Sequence, residues 1–473
     1  MRCDARKLIL SSVSAALILM TAISLVCGPG LSGTGPETVP ARAGAGVWMP
    51  SSSPGPAPEV NAAALKGQGR LAIVCQNLLF ALDGQTDTTT QITDSGQASR
   101  PAWSHDGEWL AYMCVTNPQS TTGTLWLVRW AGTEAHQVEA PTSSDSQFSW
   151  SPTDDVLSVG GQNGIWLVPA EGKPCQLSNA VASAPVWSPD GKTLAYSVTL
   201  PFDSNHPEDR SDALYTIDVD GGQPVQRLVT PQAVIDLAAG IEELPAGIEL
   251  AGWWPDGKGL LYWVDPLHSA SLAADGMPVC SLRLGNTKPT LLANGLNRQG
   301  WLSLGPQDDI LMVKGGGRIV WSGKSLTLIN VKSGQIKDLP NPPCCVSIDP
   351  SLSKDGSRIA FVAARDLGYN VWGFNNGKDL TAWVASRTLW IENADGTGAH
   401  PLTSAGQGIC QPRWSKDGGH ILYVKDSSLW LIGADGGDPV EICSPIAADD
   451  PTAGNFGYYG FISYGNQMAW FQP

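Results

Sequence analysis

Five aspartates recur at one place in a repeated motif: Asp106, Asp190, Asp256, Asp355 and Asp417 each stand before a glycine. Brought round a common axis, five carboxylates would make a ring able to hold a cation. The D-G pair has a plainer use. Asp accepts hydrogen bonds from nearby backbone N–H groups, and Gly takes the left-handed conformation that a tight turn requires. That use fits better, and the aspartates are assigned to turns. The six histidines (His105, His136, His206, His268, His400, His420) are scattered and lack the H-E-x-x-H spacing that sets two imidazoles on one helix face. They give no metal assignment, although a site assembled across repeats stays open. Gly323-Lys324-Ser325 imitates the end of a phosphate loop, but Arg318 stands where the first glycine belongs and a strand, not a helix, follows. Asp218-Val219-Asp220-Gly221 reads as a turn, because a calcium loop needs a downstream glutamate at its twelfth position. No cofactor is expected.

Two segments hold residue types suited to recognition. Tyr369, Trp372, Phe374 and Trp383 fall within residues 365–387 and have the profile of an interaction hot spot, or else of an insertion that buries its own aromatics. Asp203, His206, Glu208, Asp209 and Arg210 make a polar, acidic stretch within residues 200–213, either ligand-binding or merely solvated. Both segments are candidates for partner or ligand contact.

The elements that must position these residues repeat. AWSHDGEWLAY at Trp103, SWSPTDDVLSV at Trp150, VWSPDGKTLAY at Trp187 and GWWPDGKGLLY at Trp253 share one pattern. SLGPQDDILMV at Leu304, SLSKDGSRIAF at Leu352, RWSKDGGHILY at Trp414 and FISYGNQMAW at Ile462 continue it at uneven intervals. Each unit reads as a strand ending in Trp, a D-G or D-D turn of type I′, and an alternating strand. A second hairpin follows, such as LWLVRWAG, LYTIDVDG or LWIENADG. Two hairpins make a four-stranded antiparallel sheet, too small to bury both faces alone. Packed radially, each sheet covers its neighbour and closure removes exposed edges. The fold class is therefore all-β, a β-propeller of about eight blades, or seven if the weak unit at Leu304 is irregular. The last unit supplies a first hairpin and the first unit supplies later strands, so the two ends should share one blade. The tryptophans read as packing between blades, not as a carbohydrate platform.

The domain order follows. Residues 1–7 are a basic n-region, and residues 8–27 an uncharged apolar run long enough to cross a bilayer core. A signal anchor and a cleaved signal peptide both fit, and the length favours the anchor. Either places the rest of the chain outside the cytoplasm, with membrane contact through that helix only. Residues 28–69, rich in Gly, Pro, Ser and Ala, read as a flexible linker, and residues 70–473 as the propeller. A net charge of −15 without a basic cluster disfavours nucleic acid and anionic lipid as partners. Ten cysteines in an exported chain point to disulfides, with the Cys344–Cys345 pair and Cys410 the favoured place for one. No C-x-x-C occurs, which removes zinc-ribbon and thioredoxin readings.

The W-S-P-D-G-K-x-L-A-Y hairpin and its L-W-x-x-x-x-D-G companion resemble the WD40-like (PD40) repeat of the TolB-like β-propeller family, across nearly all of residues 71–473. The same propeller type occurs in prolyl oligopeptidases and dipeptidyl peptidases. The resemblance implies the fold more firmly than a function. The α/β domain that precedes the TolB propeller has no counterpart here, and the G-x-S-x-G elbow of the peptidases is missing. In such a blade the turns joining strands A–B and C–D share one face, and the B–C loops and D–A connections share the other. Length variation falls on the second face, in segments 200–213, 230–249, 265–278 and 365–387. Loops on a rigid scaffold are where binding residues collect. The expected function is an extracytoplasmic binding or scaffold protein for a protein or cell-envelope ligand. The alternative is a propeller enzyme acting on a polysaccharide or peptide.

Overall fold

The structure, a computed structural model, describes residues 58–115, 123–143, 146–182, 184–206, 209–229, 246–306, 308–315, 317–371, 377–449 and 457–473. The expected membrane or signal helix at 8–27 lies outside these residues. Among the described residues no helix is long and apolar enough to cross a membrane.

Eight antiparallel sheets form an eight-bladed propeller. Blade 2 shows the plan: Gln97–Trp103, Trp109–Val115, Thr124–Arg129 and His136–Gln137 pair in chain order as strands A to D. The unit at Leu304 is a regular blade of short strands, Leu302–Leu304, Asp309–Lys314, Ser325–Asn330 and Ile336–Asp338. Apolar alternation explains the stacking. Trp109, Met113 and Leu127 of blade 2 meet Leu157 and Val168 of blade 3, and the same kind of cluster joins blades 4 and 5. Each buried Leu or Val contributes roughly 1.5–3 kcal/mol by leaving water.

The repeat tryptophans do more than fill space. Each indole N–H at the end of strand A donates to a carbonyl in strand A of the preceding blade. Trp103 reaches Ala469, Trp150 reaches Ala102, Trp187 reaches Ser149, Trp253 reaches Val186 and Trp414 reaches Ser351, all at 2.9–3.0 Å. Where blades 6 and 7 carry Leu304 and Leu352 instead, Trp301 substitutes from a different position. Its N–H donates to the buried Asp349 carboxylate at 2.7 Å.

The D-G loop is a four-residue connection, not the two-residue type I′ turn. Ser104 and Trp109 pair across it, the Gly107 N–H bonds to the Ser104 carbonyl, and only Gly107 has positive φ, at 73°. Asp106 accepts from the Ser104 hydroxyl at 2.6 Å and the Glu108 N–H at 2.9 Å, and the Ser104 hydroxyl accepts from the Trp109 N–H. The same bonds recur around Asp190, Asp355 and Asp417. Ser, Asp and Gly of the motif thus build one loop together.

Closure differs from the expected shared hairpins. A single C-terminal strand, Met468–Phe471, pairs with Arg70–Cys75, which continues into Leu78–Asp83 and Thr88–Gln91. The motif tryptophan of that blade is Trp470, so the chain ends divide the unit inside its A–B connection. Residues 58–69, grouped with the linker by composition, are folded. Glu59–Val60 adds a fifth strand to blade 8, and Ala62 and Leu65 are buried. A Cys75–Cys443 disulfide binds blade 1 to the outer strand of blade 8. The bridge expected at Cys344, Cys345 and Cys410 does not form, and all three are free thiols. Cys410 lies buried against Arg387.

Candidate ligand cleft on the loop face

The exposed large apolar side chains lean toward one face. Val181, Phe202, Tyr369 and Tyr458 all lie in loops on the B–C/D–A side, and Tyr369 is 58% exposed. Trp383 does not join them. It sits in the helix Gly377–Ala385, is 2% exposed, packs edge-on against Trp321 and donates its N–H to the Arg365 carbonyl. The insertion buries this aromatic instead of presenting it. Trp372 and Phe374 lie outside the described residues.

The polar segment divides similarly. Asp203 accepts from the Asn205 N–H in a local turn and is exposed, as are His206 and Asp209. Glu208 lies outside the described residues. Arg210 alone turns inward, where it lines a cleft of about 380 Å³ between blades 3, 4 and 5. Its guanidinium donates to the Thr199 hydroxyl at 3.2 Å, while its Nε is buried without a partner.

Sequence reasoning did not single out the other charged groups of this cleft. Asp212 opens strand C of blade 4, Glu249 lies in strand A of blade 5, Asp265 ends strand B of that blade, and His268 follows in its B–C loop. Asp212 is buried and accepts from the Ile248 N–H at 2.9 Å. His268 Nε2 stands 3.7 Å from an Asp212 oxygen, longer than a hydrogen bond. Leu267 and His268 both have left-handed φ, 56° and 48°, a strained arrangement for side chains of their size. Gly247 makes room for it, since a Cβ there would come within 2.9 Å of the His268 ring.

The electrostatics set this group apart. Burial pushes the Asp265 carboxyl up to about 6, and the charge of Glu249 adds to the shift. Glu249 is raised too, by burial first and then by Asp212, against a hydrogen bond from Asn297. His268 is lowered by burial, with Arg210 reinforcing the effect and Asp212 opposing it. Three carboxylates and an imidazole therefore share a space that one arginine does not neutralise. Such a set can bind a cationic group.

A second chamber of about 390 Å³ adjoins, sharing Glu249, Asp265 and His268 with the first. Ala273, Ala274 and Met277 line it, and Asn297, Arg298 and Tyr458 complete it. Arg298 lies over the Tyr458 ring at 4.8 Å, with Nε and Nη2 buried and without hydrogen-bond partners. On the opposite face, His105 Nδ1 is 3.2 Å from Asp155, beside Asp106. Among the described residues this is the one trio whose ligand atoms approach closely enough to hold a metal ion.

No family model matches the chain, and no curated protein matches its sequence. Its structure is similar to that of dipeptidyl peptidase 4 from Porphyromonas gingivalis, at a TM-score of 0.53 and 9% identity, over 81% of this chain and 58% of that one. At that identity the likeness establishes the propeller fold alone. Similarity extends to TolB from Acinetobacter baumannii, with TM-score 0.34, 15% identity, and coverage of 80% of this chain and 64% of that one. It also extends to a putative TolB from Agrobacterium tumefaciens, with TM-score 0.34, 16% identity, and coverage of 74% and 94%. The chain thus spans less than two thirds of the first two of these three proteins.

Proposed function

We propose that this propeller is an extracytoplasmic binding protein that takes a protein or cell-envelope ligand on its loop face, at the cleft between blades 3, 4 and 5. The observation that carries the reading is the cluster of Asp212, Glu249, Asp265 and His268, held in a preformed cleft against burial and mutual repulsion. Surface groups with no partner to meet settle into solvent; these are kept where a ligand would relieve them. Val181 and Phe202 near the same cleft add apolar contact area. The Cys75–Cys443 bridge supports export, since structural disulfides persist in oxidising compartments.

The test is capture from envelope extract with the wild-type propeller and with Asp265→Asn, His268→Ala and Tyr369→Ser forms. Loss of one specific ligand from the two cleft variants, with folding intact, is the expected result. Identical capture by every form would overturn the loop-face reading. A catalytic reading has one observation in its favour: a carboxyl titrating near 6 shares the cleft with an imidazole. Turnover of a polysaccharide or peptide panel that disappears in Asp265→Asn would promote it over simple binding.

A further inference from the structure

One position of the repeat carries a charge in a single blade. The residue before the motif tryptophan, or before the leucine that replaces it, holds the same register in all eight sheets. Ala, Ser, Val or Gly occupies it in the other blades, from Ala102 in blade 2 round to Ala469 in blade 1, and Arg413 occupies it in blade 8. Where serine stands there, its hydroxyl meets the next blade: Ser149 approaches the Pro185 carbonyl, and Ser351 accepts from the Trp414 N–H. Arg413 is half-buried and, among the described residues, makes no hydrogen bond or ion pair. Asp449 attracts it, but that carboxylate is already taken by the Ser463 hydroxyl, the Asn466 N–H and the Gln467 amide. Burial outweighs the pull of Asp449 and works against the charge of Arg413.

Arg413 lines a pocket of about 210 Å³ at the inner strands of blades 6, 7 and 8. The Ser303 hydroxyl in its wall has no bond among the described residues, and Ser351 keeps its hydroxyl hydrogen. Gln299 and Gln411 add amides, groups that can both donate and accept. The carboxylate in the wall, Asp349, belongs to the scaffold. It is buried, accepts from the Trp301 and Gln411 N–H groups, and has its charge opposed by Arg387. Pockets for drug-sized ligands begin at about 300 Å³, so this space suits a smaller molecule. A dianion would meet Asp349 and Asp449 with doubled repulsion, whereas one carboxylate matches the planar fork of one guanidinium. Hydroxyls beside that carboxylate match the serines and amides.

We propose that this pocket binds a small hydroxy acid, its carboxylate on Arg413 and its hydroxyls on Ser303, Ser351 and the two glutamine amides. The site shares no residue with the cleft between blades 3, 4 and 5.

Calorimetric titration of the full chain with glycerate, propionate and glycerol tests this. Glycerate binds, while propionate without the hydroxyls and glycerol without the charge bind about tenfold or more weakly. Arg413→Gln abolishes the preference for glycerate over glycerol, and Ser303→Ala weakens glycerate but leaves propionate unchanged. Because Arg413 makes no bond within the fold, Arg413→Gln melts at the wild-type temperature or above it. A lower melting point would assign the arginine to the scaffold and overturn the proposal. So would glycerate binding that is no tighter than that of glycerol, unaltered in Arg413→Gln, or undetectable at millimolar concentration. Asp265→Asn and His268→Ala leave glycerate binding intact, so failure here does not touch the loop-face reading.

Discussion

The aspartates of the two faces experience opposite environments. On the turn face, Asp190, Asp355 and Asp417 accept a serine hydroxyl and a backbone N–H, and these bonds hold each carboxyl below its ordinary value. On the loop face, Asp265 and Glu249 are raised, first by burial and then by a neighbouring carboxylate, Glu249 for Asp265 and Asp212 for Glu249. The native structure favours the charge in one set and disfavours it in the other. A scaffold carboxylate is recognised by what it stabilises, a site carboxylate by what it costs the fold. Natural proteins tolerate such destabilising groups where function needs them.

The contrast can be broken from the scaffold side first. Trp187→Ala should lower stability by about 3–5 kcal/mol, read as a loss of midpoint in urea, because it empties an inter-blade site and removes the indole N–H bond to the Ser149 carbonyl. Trp187→Phe should recover most of that, leaving a deficit of about 1–2 kcal/mol for the missing N–H. An equal loss in both would show that the hydrogen bond, not the packing, carries the effect. Cys443→Ser should cost about 2–4 kcal/mol, measured against wild type with and without reductant, since it frees a closure spanning 368 residues. No difference would mean the seam holds by packing alone.

The loop face should respond with the opposite sign. A carboxyl raised to about 6 in the fold gives up its proton earlier when unfolded, so the native state loses ground as pH rises from about 4 to about 6. Asp265→Asn should therefore raise stability near pH 7 by about 1 kcal/mol, discounted for the solvent that reaches the group, and give no gain near pH 3.5. A destabilised Asp265→Asn would place this residue with the scaffold. The smallest effect belongs to Asp355, held at about 2 by Ser353 and Ser357. Its contribution is complete above its ordinary value of 3.8 and fades as pH falls toward 2, so Asp355→Asn should flatten the acid limb of the melting curve within that window alone.

Blade number, strand order and the turn role of the D-G aspartates were legible because the motif repeats, and a repeated motif reports a repeated environment. The turn type was misjudged, since a glycine alone at positive φ and a glycine paired with a left-handed aspartate look the same in sequence. The split of the closing blade was misplaced by aligning Ile462, not Trp470, with the other tryptophans. Three of the loop segments that stood out for length, 200–213, 230–249 and 265–278, do contain Asp212, Glu249, Asp265 and His268. Their convergence was not legible, because they come from three separate segments and only the ring brings blades 4 and 5 into register. Trp383 misled for the reverse reason: an aromatic cluster has the same composition whether it faces a partner or its own helix.

The closing blade imposes an order on biogenesis. Arg70 pairs with Phe471 and Ile73 with Met468, so the strand Arg70–Cys75 waits for a partner made after all the other blades. Until then the leading edge of Arg70–Cys75 carries unpaired backbone groups, a template for pairing with a stranger. Contacts so distant in sequence form late, after more local blades have been made. A chain that crosses a membrane in extended form would complete its ring only after the final strand has emerged. The seam thus makes closure depend on a single strand: a ring lacking Met468–Phe471 stays an open, adhesive arc.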